Sequence, residues 1–170
     1  MLRRILFCDV DGVLNTSTDK DPDFMNLRYL NILNRLQEEL GFEIILSSTW
    51  RLIFDQETFN RKFLGFGAKY PVVGYTPGPW QLDDEVYTTL HGTTHVYQGW
   101  SKHGHEIQRW LDENDLVPGE NVSICIIDDM GVENFGSLSK YFIMTSMEKG
   151  LHEGHVKHIR KIFAKQEKAE

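Results

Sequence analysis

The sequence predicts a three-layer α/β fold with a mostly parallel central sheet. Apolar runs of strand length alternate with stretches of helical periodicity, the signature of βαβ units. Polar and acidic residues collect where the apolar runs end, which is where ligands bind in such sheets. No internal repeat or low-complexity tract competes with this reading.

The first strand is Ile5-Leu6-Phe7, leading into Cys8-Asp9-Val10-Asp11-Gly12. Residues 12–23 are polar and read as a loop, and Asp21-Pro22 offers a cap and a first-turn proline. Leu27, Leu30, Leu33, Leu36 and Leu40 recur at helical spacing, which predicts an amphipathic helix over 24–40 that Gly41 ends. Phe42–Leu46 is a second buried strand, followed by Ser47-Ser48-Thr49-Trp50-Arg51. A helix over 55–64 and a short strand over 71–75 come next. Residues 76–100 hold Pro77, Gly78, Pro79, Gly92 and Gly99, and read as an irregular insertion able to contain a hairpin. Ile107, Trp110 and Leu111 predict a helix over 102–114, and Val122–Ile127 is the clearest buried strand, ending in Asp128-Asp129. Tyr141–Thr145 is a last strand, and Val156, Ile159, Ile162 and Phe163 mark a final amphipathic helix with a charged, fraying tail.

With 170 residues, 41% hydrophobic and 25% charged, the chain is expected to form a single domain over 1–170 with a real core. Asp9 and Asp11 cut the opening apolar run before it reaches the length of a signal-peptide core, and no stretch approaches a membrane span. A cytoplasmic protein is expected. Cys8 and Cys125 both fall in buried strands, as reduced core thiols rather than a disulfide. A net charge of −7 excludes long-range attraction of nucleic acid, so no long nucleic-acid tract is expected, while a local basic site stays open.

Asp9 and Asp11 stand two residues apart, so on a regular strand they share a face and repel unless a cation or proton sits between them. The competing reading is a pair of turn formers before Gly12. Ser47 and Ser48 on the second strand and Asp128 and Asp129 on the penultimate one add two more polar strand ends. Carboxylates gathered without His or Cys favour a hard cation, most plausibly Mg²⁺. An EF-hand fails, because Val13 and the position of Gly12 break its ligand pattern.

These motifs, in this order, resemble the haloacid dehalogenase (HAD) superfamily of phosphohydrolases. Asp9-Val10-Asp11-Gly12-Val13-Leu14 looks like its first motif, Ser47 after Ile44-Ile45-Leu46 its second, and Ile126-Ile127-Asp128-Asp129 its fourth. Ser47-Ser48-Thr49-Trp50-Arg51, Gly74-Tyr75-Thr76-Pro77, Glu106-Ile107 with Trp110-Leu111, and Gly150-Leu151 narrow the likeness to a small branch. Some relatives of that branch are linked to RNA repair, and the phosphatase half of polynucleotide kinase-phosphatases is similar in outline. The resemblance implies a Rossmann-like fold without a large cap domain and an open site. It implies Asp9 as nucleophile and Asp11 as general acid and base in a phosphatase with an aspartyl-phosphate intermediate. It also implies Ser47 on a phosphoryl oxygen, and Mg²⁺ on Asp9, Asp129 and the Asp11 carbonyl, with Asp128 bound through water or supporting the ligands.

For the phosphate-binding cation of the third motif Lys102 is the choice, with His103, His105 and Arg109 as competitors. Ser48 and Arg51 are candidate substrate contacts; the fork of Arg51 suits a second phosphate, and a helix-start salt bridge is the equal alternative. Trp80, Tyr87, Tyr97 and Trp100 read as core or lid packing ahead of base stacking, and His91 with His95 as a weak zinc spacing. His152, His155 and His158 are expected on one helix face, and strand alternation turns Cys8 away from Asp9. The expected partner is a small phosphorylated substrate or a phosphorylated nucleic-acid end, with no membrane; a non-catalytic phosphate-sensing module is the reading from another class. Oligomeric state is not encoded in any motif.

Overall fold

The chain places five strands in one parallel sheet, ordered β3-β2-β1-β6-β7. These are β1 (Arg3–Cys8), β2 (Glu43–Leu46), β3 (Gly74–Tyr75), β6 (Val122–Asp128) and β7 (Phe142–Met144). The helices are α1 (Leu27–Leu40), α2 (Gln56–Gly65), α3 (His103–Glu113) and α4 (Glu153–Gln166), and β4 (Gln81–Thr88) pairs antiparallel with β5 (Thr94–Trp100). The computed structural model describes residues 2–21, 24–79, 81–88, 94–100 and 102–167, with β4 and β5 given by their backbone alone. Trp80 and His91 lie outside the described residues, as do the side chains of Tyr87, His95, Tyr97 and Trp100. The predicted fold class is borne out. β1 is followed by one loop and α1 before β2, and no cap domain is evident among the described residues.

Strand alternation builds the layers. Leu6 and Cys8 of β1, Ile44 and Leu46 of β2, and Cys125 and Ile127 of β6 pack on one face with Leu30 and Leu33 of α1, Phe59 and Phe63 of α2, and Val156 and Ile159 of α4. Ile5 and Phe7, Ile45, and Ile124 and Ile126 turn to the other face, against Ile107 and Leu111 of α3. Each such side chain, fully buried, contributes about 1.5–3 kcal/mol. Both faces of β1 and β6 are thus covered, which is why these strands read as continuous apolar runs rather than alternating ones. Cys8 and Cys125 are free and buried, and burial pushes both thiols well above their ordinary range. No helix among the described residues is long and apolar enough to cross a membrane.

Boundaries shift for local reasons. Helix α1 starts at Leu27 rather than residue 24 because Asn26 is the cap, its side-chain oxygen accepting from the Arg28 N–H at 3.0 Å. Gly41, at φ 66°, closes it with a bond to the Gln37 carbonyl at 2.8 Å. The third strand shrinks from 71–75 to Gly74–Tyr75, since Pro71 has no N–H to give a ladder.

The strand order has a functional consequence. From β1 the chain builds outward through β2 and β3 on one side, then returns to build β6 and β7 on the other. The switch point lies between β1 and β6, whose carboxyl ends carry Asp9 and Asp128. Crevices at such points are where α/β sheets bind ligands.

Candidate active site

Three carboxylates meet at the switch point. Asp9, Asp128 and Asp129 each present an oxygen within 4.8 Å of the others. Asp9 follows β1 and is buried, with its Oδ1 accepting from the Val10 N–H at 2.7 Å. Burial and the charge of Asp128 push the Asp9 carboxyl up to about 7, although the Ser48 hydroxyl, His103 and the Val10 N–H pull the other way. Burial and Asp128 likewise hold Asp129 above the usual carboxylate range. Asp128 ends β6, is fully buried, and accepts from the Met130 N–H at 2.9 Å. Acids at this spacing, with Asp9 and Asp129 both raised, form a set that a divalent cation would stabilise, because it removes the repulsion that protonation otherwise relieves.

The first loop is fitted to this cluster. Gly12 has φ +70°, and a Cβ placed there would lie 2.6 Å from both Cβ and Oδ2 of Asp129. The position therefore needs glycine twice, for its backbone and for the approach of the acid.

Asp11 does not join the three acids. β1 ends at Cys8, and the chain then turns, with the N–H groups of Val13 and Leu14 donating to the Val10 carbonyl at 3.1 and 2.7 Å. The strand parity that would put Asp9 and Asp11 on one face no longer applies. The Asp11 carboxylate is held from two sides instead, accepting from Asn15 Nδ2 at 2.7 Å and from Trp50 Nε1 at 3.1 Å. The Trp50 contact spans 39 residues, so it is not legible in the sequence, and the Asn15 contact depends on the turn that follows β1.

Ser47 and Ser48 follow β2, beside β1. The Ser47 N–H donates to the Cys8 carbonyl at 3.0 Å, and its Oγ is buried with no hydrogen-bond partner among the described residues. A buried hydroxyl left unpaired costs on the order of 1–3 kcal/mol, which an incoming oxygen would recover. Ser48 caps the 3₁₀ turn Thr49–Leu52 and bonds Asp9.

A family model describing the HAD domain of Swiss Army Knife RNA repair proteins matches residues 5–156. The chain belongs to this family. No curated protein matches the chain. HAD membership points to a phosphatase-type hydrolase, and the three-acid cluster is compatible with a divalent metal.

Within this HAD site the cations distribute unexpectedly. Lys102 caps α3 and its side chain is exposed, while His103, one residue on and about 100° further round the helix, reaches the cluster. His103 Nδ1 lies 2.6 Å from Asp128 Oδ2. Burial pushes the His103 imidazole down, but the bond to and charge of Asp128 outweigh it, and the net direction is up. Gly104 lets this end of the helix sit close, since a Cβ there would stand 2.4 Å from the Asn134 carbonyl. His105 bonds the Lys102 N–H, and Arg109 pairs with Glu113 one turn along α3, so neither is directed at the HAD cluster by any described contact.

Arg51 faces inward. Its Nε donates to the Thr76 carbonyl at 3.1 Å, Nη1 to those of Ser47 at 2.9 Å and Ser48 at 2.5 Å, and Nη2 to Pro77 at 3.1 Å and Glu106 at 2.6 Å. All five guanidinium donors are used in this way, and both members of the Arg51–Glu106 pair are 2% exposed. The sequence offered a phosphate clamp or a salt bridge; the geometry has the salt bridge and leaves no donor for a ligand. Glu106, fifty-five residues away, had no assigned role in the sequence reading.

Proposed function

We propose that the protein is a Mg²⁺-dependent phosphomonoester hydrolase that works through an aspartyl-phosphate on Asp9. The observation that carries this is the meeting of Asp9, Asp128 and Asp129 at the sheet's switch point. In this reading residues 1–170 act as one hydrolase unit, with 76–100 as an insertion in it.

A carboxylate oxygen of Asp9 attacks phosphorus, and the bond to the leaving oxygen breaks as Asp11 protonates that oxygen. Asp11 then takes a proton from the water that attacks the phosphorus, which restores Asp9 and releases inorganic phosphate. The unpaired Ser47 hydroxyl donates to a phosphoryl oxygen. Lys102, with no ion pair among the described residues, supplies positive charge at the rim. His103 holds Asp128 in place. Asp9, Asp129 and the Asp11 carbonyl would hold Mg²⁺, with Asp128 in support; when bound it offsets the acids' charge and stabilises charge developing on the phosphoryl group. Arg51 is structural in this scheme.

Turnover of p-nitrophenyl phosphate is the direct test. Hydrolysis should require Mg²⁺, stop on chelation with EDTA and return on adding the metal. Phosphate binding with no turnover above background would instead leave a phosphate-sensing module, a role that gives no reason to hold an acid between Asn15 and Trp50.

The narrower reading, a nucleic-acid 3′-end phosphatase, is favoured by the match to RNA repair proteins. A 3′-phosphorylated oligonucleotide should then be cleaved in preference to nucleotides and sugar phosphates, and an absence of preference refutes it.

Trp50 is a positioning residue for Asp11. In Trp50→Phe the ring still packs against Phe54 and Phe59, now 5.8 and 6.4 Å away, but the N–H is gone. A hydrogen bond to a charged group is worth about 1.5–3 kcal/mol, so kcat for an alkyl phosphate should fall roughly 10- to 100-fold. KM should hold, and p-nitrophenyl phosphate, whose leaving group needs little protonation, should be affected much less. An equal loss on both substrates would deny Trp50 this role.

A further inference from the structure

A groove at the sheet's β7 edge plays no part in the phosphatase scheme. It lies between β7 and α4 and encloses about 450 Å³. Its charged lining is basic throughout, with Lys140, Lys161 and Lys165 and no Asp or Glu. Lys161 and Lys165 are four residues apart on α4 and so share a face. Phe142, Met144 and Ile162 give the groove an apolar floor.

What sets these lysines apart in a chain of net charge −7 is that they line one groove with no acid in it. Among the described residues none of the three groove lysines has an ion pair, and Lys140 rests 4.9 Å from the Tyr141 ring centroid. Burial and the neighbouring His152 and His158 hold His155 down at about 4, so His155 adds no charge to the groove at neutral pH.

The groove's lining includes the strand next to the one that carries Asp128. Met144, in the lining, pairs in register with Asp128. Adjacent strands are about 4.8 Å apart, so at Met144 the lining stands one strand from Asp128. From His155 to Lys165 the helix runs about 15 Å, the length of roughly four stacked nucleotides.

We propose that this groove is the track for a single-stranded polynucleotide whose phosphorylated end occupies the cluster of Asp9, Asp128 and Asp129. The proposal rests on the phosphatase reading of that cluster. The lysines take backbone phosphates, and the apolar floor takes base faces without reading sequence. An acidic peptide added to the sheet edge fits less well, because β7 offers only three residues of ladder. With no long-range attraction from the protein as a whole, the contact is local and short.

The test measures binding with Ca²⁺ in place of Mg²⁺, which keeps the acids' charge offset without the octahedral geometry that turnover would use. A fluorescein-labelled, 3′-phosphorylated octaribonucleotide is titrated by anisotropy against wild type and the triple variant K140A/K161A/K165A, with a nucleoside 3′-phosphate, too short to reach the lysines, as competitor. The variant should bind the oligonucleotide at least tenfold more weakly. Its salt dependence should fall by about 2 in log–log slope, at roughly 0.7 per lost phosphate contact. Competition by the nucleoside 3′-phosphate should not change, and the triple Lys→Arg protein should recover affinity. Equal affinity of wild type and variant for the oligonucleotide overturns the track, as does lysine-dependent binding of a glutamate-rich peptide without binding of the oligonucleotide. Failure of the phosphatase reading shows separately, as oligonucleotide binding in full with no phosphate released when Mg²⁺ is supplied.

Discussion

Asp9→Asn protein is expected to lose Mg²⁺-dependent phosphatase activity by about a thousandfold or more, or ~4 kcal/mol, while staying folded. The amide has nearly the shape of the carboxylate but is neither the nucleophile nor an anionic ligand. Stability should move the other way in the metal-free protein. The Asp9 carboxyl ionises near 3.8 when free of the fold and near 7 within it, because burial and Asp128 oppose its charge. The folded state thus holds more protons between those values, and Asp9 costs stability progressively as pH rises through that window. Asparagine carries no charge to bury. In EDTA at pH 8 the variant should therefore melt at or above wild type, and the difference should close as pH falls toward 4. Adding Mg²⁺ should raise the wild-type midpoint and shift the variant much less. Thermal melts by circular dichroism at the two pH values, with and without metal, read all of this. Metal-dependent activity at the wild-type level would end the assignment of Asp9, and a variant that melts far below wild type in EDTA would mean that the carboxylate is a structural anchor.

The sheet was legible because its inner strands are covered on both faces, which leaves unbroken apolar runs such as Ile124 to Ile127 that end sharply in acids. Leucines at helical spacing placed α1 because it buries one face on the sheet, although Leu27 of that row is exposed and the cap did not follow the Asp-Pro signal, since Asn26 reaches its own helix and wins locally. The acid cluster was legible at Asp9, Asp128 and Asp129, because strand ends converge wherever the sheet reverses direction. What stayed hidden were pairings across distance. Asp11 looked like a second acid on a strand face, but the strand stops first and the side chain goes to Trp50. Lys102 and His103 are adjacent in sequence, and which of them reaches Asp128 depends on where α3 begins, a matter of one residue that periodicity does not resolve.

Arg51 carries the second large effect. Removing it should cost about 3–5 kcal/mol, since Glu106 would be left as a buried charge with its principal partner gone. At roughly 2–4 °C per kcal/mol for a chain of this size, the melting midpoint of Arg51→Ala should drop by about 6–20 °C. Lysine should not rescue it, because a single ammonium cannot span the carbonyls of Ser47, Ser48, Thr76 and Pro77 as the planar fork does. Those four carbonyls belong to the chain just beyond β2 and β3, so the guanidinium ties two strand ends to α3 beneath Ser47. The double variant Arg51→Met with Glu106→Leu removes both charges together and should melt above either Arg51→Ala or Glu106→Leu alone, because no buried ion is orphaned, yet below wild type, because the four carbonyls still lose their donor. A phosphate clamp would behave in the opposite way. Arg51→Lys would then raise KM with the midpoint unchanged, and the double variant would be no more stable than the singles. Melts of the three variants beside their KM values decide between an arginine that grips substrate and one that holds the floor on which Ser47 stands.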